Sequence, residues 1–140
     1  CKRLPFGSGA EKVLNLFARL GDKSPHICFA GHSDVVPEGD SKLWEFSPFD
    51  GKISNGKIFG RGAVDMKGSI ASYLSAAIDW IEKNKSFEGS ISFLITGDEE
   101  GPAINGTKKV LDWMEASGQI PDMCMQLRLV IQLKLEGEVA

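Results

Sequence analysis

Three short segments of the chain concentrate side chains that can bind metal ions or move protons. Gly31-His32-Ser33-Asp34 sets a histidine two residues from a carboxylate. An imidazole can bind a metal through one nitrogen while a nearby carboxylate orients the ring or raises its basicity. The same pair would also serve as a solvated turn at a strand end. Residues 60–68 place Asp65 among glycines, which permit unusual dihedrals and close backbone approach. The alternative there is a tight turn with Asp65 near a helix start, where the dipole favours an anion. Arg61 and Lys67 in this segment read as solvated or loop-holding. Asp98-Glu99-Glu100 follows an apolar run. Adjacent carboxylates repel one another unless solvent or a cation compensates. One of them could ligate a divalent cation while its neighbour, pointing elsewhere, shuttles a proton. Otherwise the segment is a solvated acidic loop.

Taken together, one histidine and several carboxylates suit a site for two divalent ions. One carboxylate would bridge the ions and another would remain as a base. Two such ions can activate a water and polarise a carbonyl. The implied reaction class is metal-assisted hydrolysis of an amide or related bond.

These groups need elements to bring them together. In Val13–Leu20, Leu14, Leu16, Ala18 and Leu20 alternate like a strand, while Val13, Leu14 and Phe17 also suit a helix. Residues 27–30 form a short apolar run that reads as a buried strand leading into Gly31 and His32. Residues 37–50 are polar and contain proline, with Trp44, Phe46 and Phe49 interleaved. They read as an ordered loop whose aromatics pack it or form a substrate platform. Residues 52–59 read as a hairpin, because Asn55-Gly56 favours the turn that matches strand twist. Ile70, Leu74, Ala77, Ile78 and Ile81 recur at helical spacing and predict an inward stripe. Residues 91–96 read as a strand. A second helix is expected from near Thr107, as N-cap, to a stop at Gly118. Strand, helix, strand, helix is the pattern of an α/β domain with strands buried on both faces. Such sheets place ligands at the carboxyl ends of their strands. Further on, Leu127, Leu129, Ile131, Leu133 and Leu135 alternate as one amphipathic strand, an edge prone to association.

Composition narrows the function classes. The chain has 140 residues, enough for one domain or part of a larger one. With 42% hydrophobic and 25% charged residues it falls outside the disordered and low-complexity classes. Sixteen basic against nineteen acidic residues give a net charge of −3, without the positive field that nucleic acid or an anionic membrane surface requires. The apolar runs are far shorter than the roughly 20 residues of a membrane helix. Cys1, Cys28 and Cys124 form no Cys-x-x-Cys pair, so neither a zinc ribbon nor a disulfide framework is expected. They fit a reducing, cytoplasmic compartment, with Cys28 a small buried hydrophobe. The first residue is Cys1 rather than Met, which points to a fragment, and nothing resembles a targeting signal.

Gly31-His32-Ser33-Asp34-Val35-Val36-Pro37, residues 60–68, and Thr96-Gly97-Asp98-Glu99-Glu100-Gly101 occur in this order and spacing. They resemble the co-catalytic zinc amidohydrolases of the M20 peptidase family, over about residues 12 to 125. The resemblance implies a zinc-peptidase-like catalytic domain with a mostly parallel central sheet flanked by helices. It implies two divalent metal ions, zinc or alternatively cobalt. His32 would bind one ion, Asp65 would bridge both, and Glu100 would bind the second. Glu99 would be the general base and Asp34 would orient His32. The peptide after the bridging aspartate, Asp65-Met66, would be cis, and Val13–Leu20 would be a strand. The substrate would be a small molecule, with neither nucleic acid nor membrane as partner. The resemblance also implies that the full-length protein would be a homodimer, each subunit carrying a smaller inserted dimerisation domain.

On this reading residues 1–125 are the N-terminal part of the catalytic domain and 126–140 a divergent tail. The dimerisation domain and the C-terminal catalytic part would be absent. The family continues past the position of Met125 with a Gly-Glu-Pro segment whose glutamate binds the first ion. Gln126-Leu127-Arg128 stands there in this chain. The family's second-ion histidine has no counterpart, and His26 precedes a strand at the far end from the site. Each ion would keep two protein ligands, where catalytic zinc usually has three. Weak metal binding and little hydrolysis by the chain as written are expected.

Overall fold

The computed structural model describes residues 1–126. Five strands form its main sheet: β1 (Lys2–Phe6), β2 (Val13–Leu20), β3 (His26–His32), β6 (Ser90–Thr96) and β7 (Met123–Met125), in the order β1-β2-β6-β3-β7. A separate hairpin pairs β4 (Lys52–Ser54) with β5 (Lys57–Phe59). The helices are α1 (Gly68–Lys83), between the hairpin and β6, and α2 (Thr107–Ala116), between β6 and β7. The chain is therefore α/β, with β6, β3 and β7 parallel, and β2 and β1 continuing the sheet antiparallel on the other side.

Each face of the sheet is covered by one helix. On one face Phe29 of β3 stacks on Tyr73 of α1, with ring centroids 4.3 Å apart, and Tyr73 meets Phe93 of β6 edge-on at 5.0 Å. On the other, Leu4, Phe17, Cys28 and Leu94 pack against Val110 and Met114 of α2. Phe17 also meets Trp113 at 5.3 Å. Fully burying a side chain such as Phe29, Val110 or Met114 contributes about 1.5–3 kcal/mol relative to exposure. The double coverage explains why residues 27–30 and 91–96 read as apolar runs.

Val13–Leu20 is a strand, and residues 52–59 are a hairpin whose turn residues Asn55 and Gly56 both take positive φ, 48° and 73°. That is the turn geometry that Asn-Gly accommodates. Several expectations are corrected. Leu74 and Ile78 of α1 are 45% and 47% exposed. Ser69 and Ala77 are the buried residues of the helix, with Ile70, Tyr73 and Ile81 half-buried. The inward face is thus rotated from the apolar stripe, because Tyr73 supplies the large ring that meets the sheet. At α2 the cap position is Gly106, and Thr107 is the first helical residue. The Thr107 hydroxyl donates to Thr96 Oγ1 at 3.3 Å instead of capping. Gly118, at φ 66°, follows the helix end as anticipated. Strands β1 and β7 were not anticipated. The amphipathic strand expected over 127–135 lies outside the described residues. Among those described, no helix is long and apolar enough to cross a membrane.

What matters for the site is the register of β3 against β6. His32 lies opposite Thr96, so the two parallel strands end side by side, and the N–H of Ser33 donates to the Thr96 carbonyl at 2.8 Å. The acidic loop after β6 therefore starts beside the histidine that ends β3.

Candidate metal centre

His32 is 4% exposed and its ring is held from one side. Nδ1 donates to the main-chain carbonyl of Asp34 at 3.1 Å. That bond places the ring proton on Nδ1 and directs the Nε2 lone pair outward. Nε2 lies 3.1 Å from Asp65 Oδ1 and 3.9 Å from Glu99 Oε2. A ring nitrogen set beside carboxylate oxygens makes a donor group that a cation can share.

Asp65 comes from residues 63–67, an irregular turn in which Asp65 (φ −115°, ψ 99°) and Met66 (φ −135°, ψ 27°) leave the helical region. The Asp65–Met66 peptide is cis, as the resemblance implied. Glu100 completes the group. One donor atom each from His32, Asp65 and Glu100 lie within 4.8 Å of one another. Imidazole nitrogen and carboxylate oxygen are the donors that divalent zinc or cobalt accepts, so these residues fit such an ion.

The three adjacent carboxylates have separate positions. Asp98 turns into its own loop, where its carboxylate accepts the N–H groups of Ala103 (3.1 Å), Ile104 (2.9 Å) and Asn105 (3.0 Å). These donors, that of Asn105 foremost, hold its pKa below the usual carboxylate value. Glu100 faces the cluster, and its Oε2 also accepts the N–H of Val36. Glu99 stands to the side of His32 at a distance beyond direct hydrogen bonding.

Asp34 departs from the expected geometry. Its Oδ1 is 3.6 Å from Nδ1, too long for a hydrogen bond, so the contact that orients the ring is the main-chain carbonyl. Its carboxylate instead receives the N–H groups of Glu99 and Glu100. The buried Oδ1 has no hydrogen-bond partner in this structure.

Asn15 is a supporting residue that the reading of motifs missed. Fully buried on β2, it donates to the carbonyls of Leu4 (3.1 Å) and Asn105 (3.0 Å) and accepts from the N–H of Gly97 (3.2 Å). The acidic loop is thereby pinned to the sheet at both ends. An asparagine inside an apolar strand was the available signal, since buried amides need partners.

Beside the cluster lies a cleft of about 430 Å³, lined by Trp44, Phe59, Arg61, Val64, Asp65 and Glu100. Trp44 lies under the Arg61 guanidinium at 5.3 Å and its Nε1 donates to the Glu38 carbonyl. Phe46 packs edge-on against Phe59 at 5.0 Å, while Phe49 is 63% exposed. Trp44 and Phe46 therefore pack the 37–50 loop, and Trp44 also forms a wall of the cleft. His26 lies at the opposite end of β3, bonded through Nε2 to Ser92 Oγ at 2.7 Å, apart from the cluster.

Comparison with known proteins gives a family, relatives and similar folds. Peptidase family M20/M25/M40 matches residues 28–132. The chain is 58% identical over 126 residues to a succinyl-diaminopimelate desuccinylase of Rhodospirillum centenum, covering 89% of this chain and 33% of that protein. It is 55% identical over 122 residues to a protein of the same name from Gluconacetobacter diazotrophicus, covering 87% and 31%. Among solved structures, an M20 family metallo-carboxypeptidase from Sulfolobus solfataricus superposes with a TM-score of 0.70 at 23% identity, covering 87% of this chain and 28% of that one. Human carnosine dipeptidase 1 gives 0.68 at 24% identity, covering 84% and 26%. These two likenesses speak to the fold. The chain spans about a third of the length of the curated relatives it matches.

Proposed function

Because the chain belongs to peptidase family M20/M25/M40, we propose that its cluster serves metal-dependent hydrolysis of the amide in N-succinyl-L,L-2,6-diaminopimelate. The products are succinate and L,L-2,6-diaminopimelate, an intermediate of lysine biosynthesis. The observation that carries the proposal is the convergence of His32, Asp65 and Glu100 within 4.8 Å, with Glu99 beside the histidine. The names borne by the relatives at 58% and 55% identity support the substrate. So do Gly60-Arg61-Gly62 and Asn105-Gly106-Thr107, which favour this branch over acetylornithine deacetylase.

His32 through Nε2, Asp65 and Glu100 would hold two divalent ions, zinc or cobalt, with Asp65 shared. Ions held there supply positive charge that acidifies water and polarises the scissile carbonyl. Glu99, whose carboxylate stands near but not on the ligand group, would serve as the base that takes a proton from an attacking water and passes it to the leaving amine. Asp34 keeps Glu99 and Glu100 on their own sides of the cluster by fixing both main-chain N–H groups. The protein acts in the cytoplasm, and its whole form is a homodimer.

Ligand count sets the expected rate. Among the described residues, two ions sharing Asp65 would each have two protein ligands, one fewer than catalytic zinc usually has. On that count, weak binding and low turnover are the expected result for the 140-residue chain. The test is to load the chain with zinc and assay succinate release from N-succinyl-diaminopimelate beside acetate release from N-acetylornithine. Slow, metal-dependent succinate release without acetate is expected. Acetate release in its place would move the chain to the deacetylase branch. No release, with no thermal stabilisation by metal, would make it a non-catalytic relative, since a ligand specific to the folded state must stabilise it.

A further inference from the structure

His32 and Asp65 are 33 residues apart and sit on different elements, one ending a sheet strand and the other in the connection from the hairpin to α1. Sheet pairing does not hold them together. Strand β7 pairs with β3 only as far as Phe29, and the partners of β6 in the sheet lie on β2 and β3, not in residues 63–67. The two residues after Asp65 make the missing connection. Met66 is 1% exposed, and its Sδ accepts the main-chain N–H of His32 at 3.3 Å. Lys67 reaches back to donate from Nζ to the main-chain carbonyl of Ser33 at 2.6 Å.

Two glycines make room for these contacts. A Cβ on Gly31 would stand 3.0 Å from Met66 Cε and 3.2 Å from Ile70 Cγ1, tighter than ordinary packing. A Cβ on Gly62 would stand 3.0 Å from Lys67 Nζ and 2.5 Å from Val35 Cγ1, and Gly62 also adopts φ 78°. Gly62, among the glycines around Asp65, is thus explained by what must pass close to its backbone.

We propose that Met66 and Lys67 are positioning residues that clamp the His32 segment against Asp65 and so set the spacing of the cation-binding group. The proposal rests on the metal-binding reading given above. The clamp grips the backbone on both sides of the ligand, at the N–H of His32 and the carbonyl of Ser33. It therefore fixes where Nε2 arrives without occupying a ligand position. Partners that orient a ligand from behind are typically worth 10–100-fold in metal affinity.

Lys67 allows a test by sign. As a nearby positive charge alone, it would repel a divalent cation, and removing it would strengthen binding. As a clamp, its removal weakens binding. The experiment titrates Co²⁺ into the 140-residue chain, followed by visible absorption, for the wild type, Lys67→Met, Lys67→Arg and Met66→Leu. The melting temperature of each metal-free protein is measured alongside. We expect Lys67→Met and Met66→Leu each to lose about tenfold or more in Co²⁺ affinity. Lys67→Arg, which can still donate to Ser33, should recover much of the loss. The metal-free melting temperature of Lys67→Met should stay at the wild-type value, because the side chain is exposed. Equal or tighter Co²⁺ binding by Lys67→Met overturns the clamp while leaving the metal site intact. A fall in the metal-free melting temperature that matches the affinity loss also overturns it, by reducing it to general stability. Absence of Co²⁺ binding to the wild type overturns the clamp and the metal reading together.

Discussion

The carboxylate of Asp34 receives the main-chain N–H groups of both Glu99 and Glu100, at 2.9 and 2.8 Å, through a single oxygen, Oδ2. One residue thus joins the loop after β3 to the loop after β6. Charge-assisted bonds of this kind are about twice as strong as neutral ones. They fix the turn from which Glu99 and Glu100 diverge.

Replacing Asp34 should therefore disturb the acidic loop more than the imidazole. In Asp34→Ala, the His32 ring keeps its bond to the residue 34 carbonyl, while Glu99 and Glu100 lose their anchor. We expect metal affinity to fall about 10–100-fold, as for other partners that support ligands. Calorimetric zinc titration checks this, and unchanged affinity would show that the loop holds itself.

Glu99 and Glu100 should separate by phenotype. Glu99→Gln should bind metal as the wild type does and lose hydrolysis by about 10²–10⁴-fold, the usual contribution of a general base. Glu100→Gln should lose metal affinity first. Parallel measurement of bound zinc and succinate release distinguishes them. A Glu99→Gln protein that cannot bind zinc would make Glu99 a ligand.

Stability should fall on mild acidification because of His26. Burial first, and the charge of Arg19 next, lower its pKa below the usual 6.5, partly opposed by the Ile120 carbonyl and Asp122. A lowered histidine pKa means that the unfolded chain binds the proton first. Its stabilising contribution is complete above about pH 6.5 and is lost as the pH falls below that value. Asp122, whose pKa is lowered chiefly by the Ser24 hydroxyl and the His26 N–H, adds a loss of the same sign below about pH 4. Urea unfolding at pH 7.5 and 5.5 isolates the histidine effect, which His26→Asn should flatten.

The three thiols should differ in reactivity. Burial pushes the Cys28 pKa up to about 11, so the thiolate that reacts is scarce at neutral pH. Cys1 and Cys124 are exposed. Iodoacetamide at pH 8 should label these two in the folded protein and Cys28 only after denaturation, as peptide mass spectrometry would show.

Much of this protein was legible in its residues because the informative features are local. A hairpin can be read from Asn55-Gly56, since two adjacent residues determine the turn. Strands β3 and β6 can be read from their apolar runs, because both faces of each strand are covered. The candidate metal-binding chemistry of His32, Asp65 and the acidic triplet can be read from side-chain type, from the strand ends that carry His32 and the triplet, and from the glycine-rich turn that carries Asp65. The resemblance to the M20 family assigned Glu99 and Glu100 different roles, but the contacts that separate the three carboxylates are visible only in the tertiary structure. Asp98, Glu99 and Glu100 are equivalent as a string of carboxylates. Loop N–H groups claim the first, the second stands beside the His32 ring, and the third turns to the cluster. That division depends on the path of the 97–106 turn and on an asparagine from β2 that no local pattern connects to it. The orientation of α1 was hidden for a related reason. Helical spacing counts apolar residues, whereas the sheet selected Tyr73 for its ring and left Leu74 and Ile78 outside. Side-chain type and spacing are properties of the chain. Which of several equivalent groups meets a given partner is set by contacts between segments far apart in sequence, and those exist only once the sheet has assembled.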